Sequence, residues 1–266
     1  MKLLPKSLLA ASALALSALA QGAIVTQWSA DVTGEWTAFA PAGVTLSGDQ
    51  KTLSWGVPAA PNTQQSSLSI TDPAAGQLVD TFIGGGLPPP AFTVPSISLT
   101  HNNRPIFPPS LNAATLTLTL DLTPIAPPGA TQNIPPVNYA IRFLETTNAT
   151  PCTVASPTPC NDIFVLLDGL LNTSFLYDSQ TYFVNAFPIA GGALTTLTNA
   201  ACAAVGQGAG CLGFTTPENQ SSNLAFGFAI STEPLSVPEP GSVALIGLAL
   251  GALALANRRR SVKPEA

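Results

Sequence analysis

His101 is the only histidine in the chain and therefore the first candidate for acid–base or metal chemistry. An imidazole can act as a general base or as a metal ligand near neutral pH. No Gly-x-Ser-x-Gly elbow surrounds a serine, however, and all four cysteines are expected to be bonded, so no nucleophile can be paired with it. We therefore expect no catalytic residues and a structural role, in which Thr100, His101 and Asn103 form hydrogen bonds to local backbone at a strand-end turn.

Paired carboxylates are the second candidate, because glycoside hydrolysis needs two of them on either side of a sugar. Asp162 with Asp168, or Asp31 with Glu35, could form such a pair, but the sequence does not place either pair across a cleft. A secreted polysaccharide hydrolase is therefore kept as an alternative. Zinc is disfavoured because there is one histidine and no Cys-x-x-Cys spacing. No calcium-loop spacing is present, and neither a metal nor a cofactor is predicted.

Three tryptophans lie in the N-terminal part of the chain, namely Trp28, Trp36 and Trp55. If their rings were exposed they could stack on sugars, which makes them candidate glycan contacts and makes a carbohydrate-binding module the first alternative function. Large aromatic side chains in short strands more often fill a core, and burial is the default expectation.

Strands must position these residues, because the chain shows their patterns and few others. Residues 115–122 read TLTLTLDL, which places leucines on one face and threonines on the other. Similar short runs occur at 24–32, 35–40, 52–57, 67–71, 96–100, 138–144, 162–167, 181–186 and 224–231. No amphipathic helix of ten or more residues stands out.

Together these patterns predict an all-β fold, a single antiparallel β-sandwich over residues 21–236. Proline clusters between the runs predict loops or edge positions, since proline lacks a ladder donor. Two smaller β-domains divided at the Pro-rich segment 124–136 are the alternative, although the strands flanking that segment could equally be neighbours.

The four cysteines predict two local disulfides, Cys152–Cys160 and Cys202–Cys211, because each pair is close in sequence and brackets turn-forming residues. Four cysteines allow three pairings, so cross-pairing stays open at this point. Disulfides indicate an oxidising compartment.

The N-terminus agrees with export. Lys2 and Lys6 precede an apolar stretch, residues 7–19, and Ala18 to Ala20 supply small residues for cleavage. We predict a signal peptide at 1–20, recognised by the Sec machinery and signal peptidase, and a processed chain that begins near Gln21.

The C-terminal segment 237–266 combines a short motif, an uncharged run and a basic stop. Residues 241–256 would form a helix about 24 Å long, enough for a single transmembrane helix if the flanks help. The three arginines that follow this run would hold its C-terminal end in the cytoplasm and leave the body of the chain outside. The residues that define the segment are Val237, Pro238, Glu239 and Pro240 before the run, and Arg258, Arg259 and Arg260 after it.

Charge excludes some partners. Residues 21–237 hold three cationic and twelve acidic side chains, a formal charge of −9. Nucleic acid and anionic lipid both need cationic patches, so neither is expected as a partner of the body.

The C-terminal residues resemble a PEP-CTERM sorting signal. The resemblance implies that an exosortase of a Gram-negative bacterium recognises the tail and processes the chain near Pro238, Glu239 and Pro240. It also implies an inner-membrane anchor during sorting, a final place at the cell surface or in the extracellular matrix, and a link to exopolysaccharide and biofilm.

The body has a second resemblance. The segment 99–106 carries Thr-His-x-Asn, with 52–56 upstream and 115–122, 160–166 and 211–218 downstream. This is similar to the THxN family of PEP-CTERM proteins, described through a choice-of-anchor domain, and the family implies no settled activity. The expected function is therefore that of an exported structural or adhesive protein in contact with extracellular polysaccharide, and not that of an enzyme.

Overall fold

The computed structural model describes residues 22–84, 86–146, 152, 160–167, 171–189 and 195–235. Strands dominate these ranges. The first eight are β1 Gln27–Ala40, β2 Thr45–Leu46, β3 Thr52–Trp55, β4 Val57–Pro58, β5 Ser66–Thr71, β6 Gln77–Phe82, β7 Val94–Asn102 and β8 Ile106–Phe107.

The other eight strands are β9 Ala113–Ala126, β10 Gln132–Leu144, β11 Asp162–Leu166, β12 Thr173–Tyr177, β13 Gln180–Pro188, β14 Thr195–Thr196, β15 Leu212–Thr216 and β16 Ser221–Ser231. Two short helices accompany them, a 3₁₀ turn at Pro90–Phe92 and α1 at Asn199–Ala204. In the described ranges no helix is long and apolar enough to cross a membrane. The predicted signal peptide and the predicted span at 241–256 lie outside those ranges.

Strand β9 forms because its side chains alternate. The leucines at 116, 118, 120 and 122 are buried, while Thr115 and Thr119 lie on the opposite face and keep partial contact with water. Strands β1 and β10 pair with β9 in antiparallel register on its two sides. The predicted strand at 115–122 is thus confirmed, within a longer element that lies inside the sheet.

Twelve strands follow one continuous path of hydrogen-bonded neighbours, in the order β14-β15-β11-β10-β9-β1-β6-β16-β7-β5-β3-β2. Strand β13 also pairs with β16 and carries β12 on its other side, which makes a 14-stranded sheet; β4 and β8 form a separate two-stranded sheet.

One pair in this sheet is parallel. Ile230 and Ser231 of β16 lie opposite Thr81 and Phe82 of β6. The expectation of a purely antiparallel body is therefore wrong at this point, and the sheet is mixed. The physical reason is that parallel neighbours are joined through long crossovers, so the pairing of strands so far apart in sequence leaves no local pattern.

The two halves of the sheet path face one another across a shared core. The ring of Trp55 on β3 lies 5.0 Å from that of Phe143 on β10, although six strands lie between β3 and β10 along the path. A methyl-sized group on Gly34 of β1 would lie 3.1 Å from Ile70 on β5 and 3.2 Å from Ile97 on β7. Gly34 therefore allows strands of the two halves to approach closely.

Gly34 also explains why one element was predicted as two. The runs 24–32 and 35–40 belong to a single strand, β1, in which Gly34 is an interior position with Leu118 as its strand partner. A glycine weakens strand propensity, but here the tertiary contact requires its small size. Among the strands of five or more residues, the sequence patterns do not predict β6, β12 and β15, because their alternation is short.

The Pro-rich segment 124–136 is not a domain boundary. It is the turn of the β9–β10 hairpin, and three of its prolines lie within the two strands. Pro124 lies beyond the last residue of β9 that pairs with β10, and Pro135 and Pro136 fall at a register shift between Ile134 and Val137. These prolines therefore occupy positions where strand pairing needs no backbone N–H donor. Most of the segment that was predicted as a loop is consequently strand.

Replacement of Gly34 by valine should lower the free energy of unfolding by about 1–3 kcal/mol, because the added carbons would overpack the contact with Ile70, Ile97 and Leu118. Gly48→Val is the matched control, since a Cβ at the exposed Gly48 meets nothing within 4 Å. Urea unfolding of both variants measures the difference. Equal midpoints for the two would show that the halves of the sheet do not meet closely at Gly34.

Candidate functional site

His101 lies on the inner face of β7, enclosed by aromatic rings. Its ring stacks on Trp55 at a centroid distance of 5.8 Å and meets the edge of Phe143 at 4.9 Å. The residue has no solvent-exposed surface, and neither ring nitrogen has a hydrogen-bond partner within the described part of the chain. Burial lowers the pKa of His101 to about 3, so the ring is neutral at physiological pH.

Asp162, the first residue of β11, is the nearest acidic group to that ring. Its Oδ2 lies 3.8 Å from His101 Nε2, which is too long for a hydrogen bond. Its Oδ1 accepts the backbone N–H of Thr146 at 2.9 Å. Burial, with a further contribution from the nearby Glu145 carboxyl, raises the pKa of Asp162 to about 9. His101 and Asp162 are thus two neutral groups in contact and not an ion pair.

Glu145 follows β10 and completes this interior group. Its Oε2 accepts the indole N–H of Trp55 at 2.9 Å. Burial raises the pKa of Glu145 to about 7, and the charge of Glu218 acts in the same direction although the Trp55 hydrogen bond opposes it. Glu218 also contributes to raising the pKa of Asp162. We refer to His101, Glu145, Asp162 and Glu218 as the His101 cluster.

The Thr-His-x-Asn segment connects distant parts of the sheet. Thr100 Oγ1 accepts from Asn223 Nδ2 at 2.9 Å, and the buried Asn103 donates from Nδ2 to the carbonyl of Thr216 at 3.0 Å. The expectation of local backbone hydrogen bonds is therefore wrong, because these partners lie more than one hundred positions away. The segment holds β7 against β16 and against the end of β15.

The enclosure of the cluster limits its chemistry. The His101 and Asp162 side chains are 1% and 0% exposed, so a substrate cannot reach either one without opening the core. In the ranges that the structure describes, no three His, Cys, Asp or Glu side chains are arranged to hold a metal ion. The geometry is that of a structural core in which the Glu145 and Asp162 carboxyl groups keep their protons.

The three tryptophans are all buried, each with 0% exposure. Their indole N–H groups donate to Thr81 Oγ1 for Trp28, to the carbonyl of Lys51 for Trp36, and to Glu145 for Trp55. A sugar can stack only on an open ring face, so the assignment of these residues as glycan contacts is wrong. The reason is register, since all three side chains lie on the inner side of their strands.

Neither predicted carboxylate pair forms a catalytic centre in the described residues. Asp168 lies outside the described ranges, which leaves Asp162 alone. Asp31 and Glu35 are four residues apart on β1, so their Cα atoms are about 13 Å apart along the strand. Asp31 instead accepts the backbone N–H of Gly76 at 2.6 Å.

The disulfides are those predicted from sequence proximity. Cys152 is bonded to Cys160 and Cys202 to Cys211, which removes the cross-paired alternatives. The first disulfide adjoins the His101 cluster through Thr146. The Thr146 hydroxyl donates to the carbonyl of Cys160 at 3.0 Å, and its N–H donates to Asp162 of the cluster. All seven sorting residues lie outside the described ranges: Val237, Pro238, Glu239, Pro240, Arg258, Arg259 and Arg260.

Sequence reasoning missed Glu145, Glu218 and Phe143 as neighbours of His101. One signal could have found Glu145. Tyr139, Ile141 and Phe143 are buried at every second position of β10, and continuing that period places Glu145 on the same inner side. Glu218 follows β15 in a turn and has no comparable pattern.

Comparison with known proteins identifies the C-terminal segment. Residues 236–260 match the PEP-CTERM protein-sorting motif. A comparison with curated protein sequences finds no match for the chain. The sorting motif implies an exported protein that an exosortase processes at the membrane.

Stability should fall as the pH rises from about 6.5 to 9. Carboxyl groups of the unfolded chain lose their protons near pH 4, whereas burial keeps Glu145 and Asp162 protonated in the folded state to about pH 7 and 9. The folded state therefore binds more protons, and its free energy of unfolding decreases as the pH rises. The slope should be roughly 1 kcal/mol per pH unit. His101, with its lowered pKa, acts in the opposite direction and only below about pH 6.5.

Thermal unfolding from pH 6.5 to 9 tests this, with Glu145→Gln as the variant, because glutamine keeps an acceptor for Trp55 but cannot ionise. Its profile should be flatter than that of the unmodified chain between pH 6.5 and about 7.5, where Glu145 loses its proton in the folded state, and above that range Asp162 should continue the fall. Glu233→Gln, at an exposed position, is the control and should leave the slope unchanged. A slope between pH 6.5 and 7.5 that Glu145→Gln does not change would show that this carboxyl is not held protonated in the folded state.

Proposed function

We propose that this chain is an exported structural or adhesive protein of the cell surface or extracellular matrix of a Gram-negative bacterium. The observation that carries the proposal is the PEP-CTERM sorting motif at residues 236–260, directly after the last described residue of the β-strand body. In this proposal residues 1–20 are a signal peptide that is removed, and residues 241–256 cross the inner membrane until an exosortase processes the chain.

The body supports a role by contact rather than by catalysis. Its two sheet halves share one core, which we interpret as a β-sandwich, and its only histidine is enclosed between Trp55 and Phe143. Disulfides at Cys152–Cys160 and Cys202–Cys211 agree with an oxidising compartment outside the cytoplasm. Membership of the THxN group, on the segment around Thr100, His101 and Asn103, is part of the proposal.

The contact we propose is with the extracellular polysaccharide of the matrix. The buried tryptophans are not its binding surface, so binding would involve the polar outer faces of the strands. One such face carries Thr115 and Thr119 of β9 beside Thr33 and Asn138 of the neighbouring strands. Hydroxyl and amide groups of this kind can donate to and accept from sugar hydroxyls.

The sorting step can be tested inside the same chain, because the dipeptide Pro-Glu occurs twice in its C-terminal segment. Pro238→Ala with Glu239→Ala changes the copy inside the matched segment, and Pro264→Ala with Glu265→Ala changes the copy outside it. The first variant should accumulate as a full-length chain in the membrane fraction. The second should be processed like the unmodified chain.

Mass spectrometry of the C-terminus in membrane and medium fractions, in a host that contains an exosortase, measures the outcome. Processing of both variants, or of neither, would contradict recognition of the motif at 237–240. Deletion of the exosortase should make the unmodified chain behave like the first variant.

A further inference from the structure

Four exposed apolar side chains lie at one end of the body. Ile24, Ile83, Ile125 and Leu176 are 36%, 62%, 41% and 68% exposed. They come from four separate segments, namely the residues before β1, the residue after β6, the end of β9 and the strand β12. We refer to these four side chains as the terminal face.

Hydrogen bonds bring the four segments to the same end. The N–H of Thr26 donates to the carbonyl of Ala126 at 2.7 Å, beside Ile125, and Thr81 Oγ1 donates to the carbonyl of Val25 at 2.6 Å, close to Ile83. The N–H of Val25 donates to the hydroxyl of Tyr182 at 2.8 Å, on the strand that pairs with β12. The four segments that carry the terminal face therefore meet at the same end of the body.

The described chain also begins and ends near this surface. Gly22 packs against Asp178 in the β12–β13 turn. At the other terminus, Thr232 donates its N–H to the carbonyl of Phe82 at 3.0 Å, one residue before Ile83. Leu235 is buried and held by the Asn172 side chain, which accepts its N–H at 2.7 Å and donates to its carbonyl at 3.1 Å.

The fixed position of Leu235 limits how far the body can be from the membrane. Five residues, 236–240, separate it from the apolar run that begins at Gly241. Even fully extended, five residues span about 18 Å. A tether this short holds the adjoining surface at an effective concentration on the order of millimolar near the bilayer, so a weak contact is enough to orient the body.

Charge at this end favours neutral lipid. Its exposed ionisable groups include Asp178 and Glu233, both acidic. The three cationic side chains of the described residues lie elsewhere. Lys51 donates to the carbonyl of Gly34, midway along β1, Arg104 follows β7 at the far end, and Arg142 lies opposite Ala113, at the other end of β9 from Ile125. The surface therefore offers apolar area without attraction to anionic headgroups.

We propose that, before processing, the terminal face rests on the neutral lipid surface of the membrane that holds the sorting tail. This inference rests on the proposed function, because it requires the tail to be anchored. The contact orients the body and keeps residues 236–240 close to the membrane surface, where a membrane-bound exosortase acts. A lipid surface fits better than a protein partner, because the four side chains are scattered turn and strand-end positions of one chemical type.

The test uses the full-length chain in phosphatidylcholine vesicles with a nitroxide attached to the lipid headgroups. Ile83→Cys and Leu176→Cys, labelled with a small fluorophore, report on the terminal face. Val57→Cys and Phe107→Cys are matched controls, with parent side chains 56% and 61% exposed. Both control positions lie on the two-stranded sheet of β4 and β8, at the opposite end of the body beyond Asn102. Asn102 pairs with Ser221, and Ser221 and Ser231 are ten residues apart on β16, a distance of about 33 Å.

Nitroxide quenching at positions 83 and 176 should exceed that at 57 and 107 several-fold, and it should persist in 1 M NaCl because the contact is apolar. Equal quenching at all four positions, in a chain that floats with the vesicles, would overturn the inference and leave the sorting proposal intact. Preferential quenching or shielding that appears only after exosortase is added would assign the face to the enzyme and overturn the lipid assignment. A chain that does not float would contradict the anchored tail itself, and with it both proposals.

Discussion

Packing of the inner face of β9 is the interaction on which the rest of the body depends. Its leucines are buried because strands from the other half of the sheet lie across them. Leu116 and Leu118 face Ile97 of β7 and Phe226 of β16, and Gly34 makes room for that approach. Since apolar burial is the main favourable term in folding, the strand order, the bulges at proline and the buried tryptophans all serve this one contact surface.

The His101 cluster places titratable groups in a largely apolar interior. Burying ionised groups there would be unfavourable, and the structure avoids it by keeping His101 neutral and by raising the carboxyl pKa values of Glu145 and Asp162. The cluster links β3, β7, β10 and β11, which belong to both halves of the sheet. Its members and their contacts therefore connect the two halves of the sheet.

The two ends of the body differ in what they carry. One end holds the T-H-x-N segment, and the Cys152–Cys160 disulfide adjoins the cluster to which that segment belongs. The other end holds the first and last described residues and the terminal face. This difference between the ends agrees with a chain that is exported, held briefly by its C-terminus and then released. The residues next to the sorting tail lie at one end, and the T-H-x-N segment with its buried cluster lies at the other.

The sequence alone predicted the all-β class, the central strand at 115–122, both disulfides and the sorting signal. Each of these depends on local information: alternation of residue types, close spacing of cysteines, or a short ordered motif. Glu145 could also have been placed from the alternation of β10.

Only the tertiary structure decided the parallel pairing of β16 with β6, the hydrogen-bond partners of the three tryptophans, the partners of His101 and Asn103, and the strand character of the Pro-rich segment 124–136. These features depend on which distant strands become neighbours and on which face of a strand meets the core. A one-residue change of register moves a side chain from the core to water, so its exposure, and with it its chemistry, is fixed only when the whole sheet has formed.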